Sequence, residues 1–191
     1  MKPLSREDIV KNEEYKEMRD TLRSEILKIK EHRRVLLGPY LNFLFENRET
    51  MRYQVQEMMR VEGIEKEEAI QHEIKTYNQL VPGKDELKAT LLIEFEDEAT
   101  RRVKLKELVG LENSIELSTP AGSARAMFDS EQVEPEKLSS VQYVTFSLTA
   151  EIGDSIRAKN AVTLKVSHPA CTYEVDLNSD QVAALADDLS S

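Results

Sequence analysis

The sequence predicts an α+β fold, a mostly helical N-terminal half packed on a mixed or antiparallel sheet built from two strand-helix-strand-strand units. Three observations predict it. Up to Val81 most apolar residues recur at intervals of three and four, the spacing of one helix face. From Leu87 onward, short runs rich in β-branched and aromatic residues alternate with turn residues, as half-buried strands do. The order strand, helix, strand, strand then occurs twice, with side-chain identity weak enough that coincidence is the alternative to a repeat. Residues 1–83 are expected to form the helical region with one long strand and residues 84–191 the α+β region, together one compact domain.

Ser5 followed by Asp8 suggests an N-cap and a short helix, before a longer helix from Asn12 to Arg33. On the longer helix Tyr15, Met18, Leu22, Ile26 and Ile29 share one face, and charged residues cover the rest. From Val35 to Phe45 the period changes to two, with Leu37, Leu41, Phe43 and Phe45 facing one way and Pro39 interrupting their row. An edge strand or a bulge is the expectation there. Helices follow from Arg48 to Glu62 and from Glu65 to Leu80, divided near Gly63 and stopped by Val81-Pro82-Gly83.

In the second half, Leu87–Phe95 is predicted as a strand, Asp97–Val109 as a helix, and Ser114–Ser118 and Ala124–Phe128 as strands. Val141–Thr149, Glu151–Ala158, Val162–Ser167 and Thr172–Leu177 repeat that order. Asn178 with Gln181 makes a capping box for a last helix carrying Val182, Leu185 and Leu189. Glu131–Lys137, charged and containing Pro135, reads as the most mobile loop.

Composition narrows the function classes. The formal net charge of -10 disfavours non-specific binding to nucleic acid or to an anionic membrane. No secretory signal and no spanning run of about 18 apolar residues is evident, so the expected location is cytoplasmic. One cysteine, Cys171, permits no internal disulfide and too few thiolates for a cysteine-rich zinc site or an iron–sulfur cluster. Phosphate-binding loops, the Rossmann glycine fingerprint, the Gly-x-Ser-x-Gly elbow and His-Glu-x-x-His are all missing. A basic run, Lys28, Lys30, Arg33 and Arg34 around His32, reads as a solvated helix end or as a local anion contact.

The densest polar cluster lies where the first long strand meets a helix, at Phe45-Glu46-Asn47-Arg48, and continues through Thr50, Arg52, Gln54 and Gln56 to Glu57. Projection at about 100° per residue places Met51, Val55, Met58 and Met59 on the apolar face, with Arg48, Arg52 and Gln56 along its border. Two arginines four residues apart on a half-buried face need neutralising partners, and Glu46 and Glu49 are the nearest in sequence. A structural arginine–carboxylate lattice is one reading. The other is a fork for a carboxylate or phosphate, with Gln56, Tyr77 and Asn78 as polar contacts and Glu46 or Glu57 as a base if burial raises its pKa.

Three further features carry competing explanations. Asn78, just before the Pro82-Gly83 turn, could end its helix or touch a ligand. Glu68 and His72 have the spacing of an exposed helical pair, not that of a di-iron helix. His168 and Cys171 flank a proline turn, either as an ordinary turn or as a histidine-activated thiol.

The opening Met-Lys-Pro-Leu-Ser-Arg-Glu-Asp-Ile, the junction just described, Tyr77-Asn78 before Pro82, and Leu87-Lys88-Ala89-Thr90-Leu91 together resemble an uncharacterised bacterial family of the domain-of-unknown-function type. The similarity extends over nearly the whole chain. Members of that family are often encoded beside a rubrerythrin and an iron–sulfur oxidoreductase, and the resemblance implies an association with peroxide defence or electron transfer. It supplies no catalytic residues, and its pattern has His-Pro at His168-Pro169 without a fixed cysteine. The leading expectation is therefore an accessory or binding protein without a cofactor, more a partner than an enzyme. It would dock to rubrerythrin or the iron–sulfur oxidoreductase through its acidic surface or its long N-terminal helix. The alternatives are an enzyme or sensor for a small anion and a structural homodimer.

Overall fold

The computed structural model describes residues 1–129 and 136–190, so most of the expected mobile loop, residues 131–135, lies outside the described residues. After a 3-10 turn at Arg6–Asp8, the elements run α1 (Asn12–Glu31), β1 (Arg34–Leu37), β2 (Leu41–Glu46), α2 (Arg48–Glu62) and α3 (Glu67–Asn78). They continue with β3 (Glu86–Ile93), α4 (Glu98–Glu107), β4 (Ile115–Thr119), β5 (Gly122–Phe128), β6 (Val141–Ser147), α5 (Ala150–Arg157), β7 (Thr163–His168), β8 (Cys171–Asp176) and α6 (Ser179–Ser190). The fold is α+β, and the predicted recurrence of strand, helix, strand, strand is present from β3 to β8.

All eight strands join one sheet in the order β1-β2-β3-β6-β5-β4-β7-β8, and every pairing is antiparallel. The sheet curls until its two ends meet. Edge strands β1 and β8 touch, Tyr40 and Tyr173 pack edge to face, and the Gln181 amide donates to the Arg34 carbonyl at 2.7 Å. Both open edges are thereby shielded from pairing with another chain.

The single long strand expected over Val35–Phe45 is instead a hairpin. Leu37 pairs with Leu41, and between them Gly38 takes φ +66° in a spot where a side chain would collide with the Tyr173 ring. Only glycine satisfies both conditions without strain, and Pro39 brings no backbone N–H to continue a ladder. The period-two pattern survives the reversal because cross-strand partners share a face, so Leu37, Leu41, Phe43 and Phe45 are all buried together.

Two cores result, one on each face of the sheet. The inner face collects Phe43, Phe45, Leu87, Leu91, Val144, Phe146, Leu164 and Val166, closed by Leu105 of α4, Ile152 and Ile156 of α5, and Val182 and Leu185 of α6. A second cluster joins Met51, Val55 and Met59 of α2, Ile70 and Ile74 of α3, and Leu4 and Ile9 of the N-terminal segment, with Tyr143 of β6 packed against it. No helix among the described residues is long and apolar enough to cross a membrane.

Candidate functional site

The β2–α2 junction owes its geometry to local capping. Asn47 is the N-cap of α2: its Oδ1 accepts from the Thr50 N–H at 2.9 Å, and the Asn47 N–H donates to Thr50 Oγ1 at 2.9 Å. This reciprocal pair satisfies donors that a helix start otherwise leaves free. Gly63, left-handed at φ 64°, ends the same helix.

The border residues turn toward the protein's own N-terminal segment. Arg48 meets Asp8 at 2.6 Å and Glu49 at 3.6 Å, while Arg52 meets Glu49 at 2.7 Å. Hydrogen bonds from the Ser5 backbone and from Arg48 hold the Asp8 carboxyl down to about 2. Gln56, buried, accepts from the Val10 N–H at 2.7 Å and donates to the Val10 carbonyl at 3.2 Å. Asn78 treats Leu4 the same way, accepting at 2.7 Å and donating at 2.9 Å. Each amide thus completes the backbone pairing of one residue in a segment that has no strand partner. Both ends of the Asn78 side-chain amide, on the last residue of α3, are bonded to Leu4.

Glu57 ties α1 to α2. It accepts from the Tyr15 hydroxyl at 2.8 Å and from Arg19 Nε and Nη2 at 2.7 and 2.9 Å, with Arg60 closing the cluster from 3.1 Å. Arg19 first, then Arg60 and Tyr15, lower its carboxyl to about 2. A base of that strength is too weak for proton abstraction at neutral pH.

Glu46 behaves oppositely. It lies on the outer face of β2, 4 % exposed, with Oε1 accepting from Thr90 Oγ1 at 2.7 Å and Oε2 without a hydrogen-bond partner. Burial pushes its carboxyl above the ordinary value, against the lowering by Thr50, Thr90, Lys30 and Arg33. Glu46 is therefore not the counter-charge expected for the border arginines; Asp8 takes that place. Tyr77 is half-buried beside Tyr143 and Thr145, where the end of α3 and β6 line a cavity of about 340 Å³.

Residues outside the predicted set complete the junction. Arg33, expected in a basic run, is buried and bidentate to Asp188 of α6 at 2.5 and 2.6 Å, and Asn47 adds a hydrogen bond to the same carboxylate. Burial still raises the Asp188 carboxyl despite Arg33. The signal for Asp188 was its place three residues after Leu185 on the apolar stripe of the last helix. The signal for the N-terminal strap was Leu4 and Ile9, apolar in a polar stretch.

The other features resolve as structural or surface positions. Glu68 and His72 are both exposed on α3. His168 Nδ1 accepts from the Ala170 N–H at 3.2 Å, which leaves Nε2 to donate to the Val109 carbonyl at 3.1 Å. The imidazole thereby braces the β7–β8 turn against the end of α4. Cys171 is 6 % exposed and burial raises its thiol, with the Tyr40 hydroxyl as a hydrogen-bond neighbour, the reverse of an activated cysteine. No group of three or more His, Cys, Asp or Glu side chains suited to a metal ion occurs among the described residues.

Comparison with known proteins agrees with this geometry without assigning a chemistry. No protein with a curated description matches the chain. A solved structure described as a novel protein of unknown function from Burkholderia pseudomallei K96243 is 33 % identical, covers 98 % of this chain and 100 % of its own, and superposes with a TM-score of 0.93. The profile of the family described as "Protein of unknown function (DUF3501)" matches residues 3–189, so the chain belongs to that family.

Proposed function

We propose that this chain is a cytoplasmic accessory or binding protein of a bacterial rubrerythrin-linked redox or oxidative-stress system, acting by association and not by chemistry of its own. One observation supports this above the others. Arg48, Gln56 and Glu57 of α2 and Asn78 at the end of α3 are engaged by Asp8, Val10, Arg19 and Leu4 of the same chain. They serve a scaffold, and the functional surface lies elsewhere. In this reading the docking element is the acidic surface, net charge -10 over the chain, meeting a basic patch on rubrerythrin or the iron–sulfur oxidoreductase. Anaerobic co-purification at low and high salt tests it. Near-stoichiometric recovery of one of those iron proteins, lost at high salt, is expected, and failure to recover either at low salt overturns it.

A second reading keeps an anion contact at Arg52, whose side chain remains 41 % exposed beyond its pair with Glu49. A small carboxylate or phosphate would then displace Glu49. Calorimetric titration with acetate and with inorganic phosphate distinguishes the readings: heat that disappears in Arg52→Ala at unchanged stability favours the anion site, and no heat removes it.

A further inference from the structure

We propose that the cavity between α1 and α2 binds a free α-amino acid with a leucine-sized apolar side chain, the side chain inward and both charged ends at the rim. This rests on the Arg52 contact described above and names the molecule that carries the carboxylate.

The cavity follows from how the two helices meet. Toward the start of α1, Tyr15 and Arg19 bind Glu57 of α2, and toward its end the Lys30 ammonium lies 5.5 Å from the centre of the Tyr53 ring. Between these two ties the helices leave a cavity of about 130 Å³, whose apolar part is formed by Leu22, Ile26 and Ile29 of α1 and Tyr53 of α2. An apolar cavity of about 150 Å³ takes one benzene ring, so this one suits a leucine or methionine side chain.

The polar part of the lining carries both signs of charge. Arg52 and Glu49 of α2 and Asp8 of the N-terminal strap contribute to it, and Glu25 contributes from α1. Glu25 is exposed and forms no ion pair among the described residues. With Arg48, which meets Asp8 and Glu49, and Lys30 on the Tyr53 ring, three carboxylates face three cations. A simple anion that took Glu49's place on Arg52 would lie among all three carboxylates. A simple cation would lie beside Arg52 and Lys30. A zwitterion avoids both conflicts: its carboxylate takes the Arg52 donors, which favour a planar, two-oxygen acceptor, and its ammonium neutralises Glu25 and the released Glu49. Because Arg52 and Glu25 line one small cavity, a single amino acid reaches both.

Isothermal titration of the full chain with L-leucine tests it. Saturable one-to-one binding is expected, at least tenfold tighter than that of glycine, which has the same charged ends without a side chain, or of 4-methylpentanoate, which lacks the ammonium. Glu25→Gln, a change at an exposed position, should weaken leucine about tenfold and leave 4-methylpentanoate unchanged. Arg52→Ala should weaken both. Glycine or 4-methylpentanoate as tight as leucine, or leucine binding that is unchanged in Glu25→Gln or in Arg52→Ala, overturns the inference. Heat from acetate or inorganic phosphate with none from leucine overturns it and leaves the Arg52 contact standing, whereas no heat from any of them removes both.

Discussion

The two cores are held by different physics. The inner one is a nearly unbroken apolar volume supplied by every strand and three helices, and its strength scales with area removed from water. The outer one is smaller and incomplete without Leu4 and Ile9, which hold their place through directional bonds at its margin: Asn78 to Leu4, Gln56 to Val10 and Arg48 to Asp8. Area-driven burial tolerates small displacements, whereas an amide bonded to one backbone residue fixes register. A strap of some ten residues without strand partners needs the second kind of hold.

Substitutions at the two cores should therefore fail differently. Phe43→Ala removes a fully buried ring from the inner core and should cost about 3–5 kcal/mol, seen in urea as one transition at a lower midpoint. Arg33→Met leaves Asp188 buried without its counter-charge and should cost about 3 kcal/mol. Because burial already raises that carboxyl, protonation in acid should narrow the difference, and adding Asp188→Leu should recover most of the loss. If the double variant remains as unstable as the single one, the pair is not the cause.

At the outer core Gln56→Ala should cost about 2 kcal/mol through two lost hydrogen bonds and the Val10 groups they leave behind. The distinguishing readout is hydrogen exchange. Amides from Leu4 to Val10 should exchange faster while those of β2 and β3 stay protected, and a uniform rise over the chain would show that the strap is not a separate unit.

The smaller effects concern pH. Asp8 is lowered from 3.8 to about 2 in the folded chain, so its contribution is present above its unfolded value and lost as pH falls toward 2. Arg48→Ala should accordingly cost about 1 kcal/mol at pH 7, with the gap to wild type closing toward pH 2 in thermal melts. Glu46 runs the other way. Its carboxyl is raised by burial, so its cost to stability is absent below the ordinary glutamate value and grows as pH rises through the folded one. Glu46→Gln should gain up to about 1 kcal/mol near pH 7, and a gain that is flat with pH would rule out ionisation as the reason.

What the sequence determined by itself lies within a turn or two of chain. The Asn178–Gln181 capping box is present with bonds of 2.8 and 2.9 Å, and the helix break near Gly63 is a left-handed C-cap. The apolar faces of α2 and of the strands are buried as their periods imply, because periodicity and capping are written in neighbouring residues. Tertiary structure alone decided where the chain reverses at Gly38, which depends on a ring 135 positions later in Tyr173, and what each charged side chain meets. Asp8 for Arg48, Val10 for Gln56, Asp188 for Arg33 and Thr90 for Glu46 are pairings that only the path of the chain brings together. Sequence identified the border arginines as groups that needed partners and named Glu49, which meets both of them; the second counter-charge, Asp8, and hence the reading of the junction as a clasp on the N-terminal strap, came from a contact 40 residues apart that no local pattern encodes.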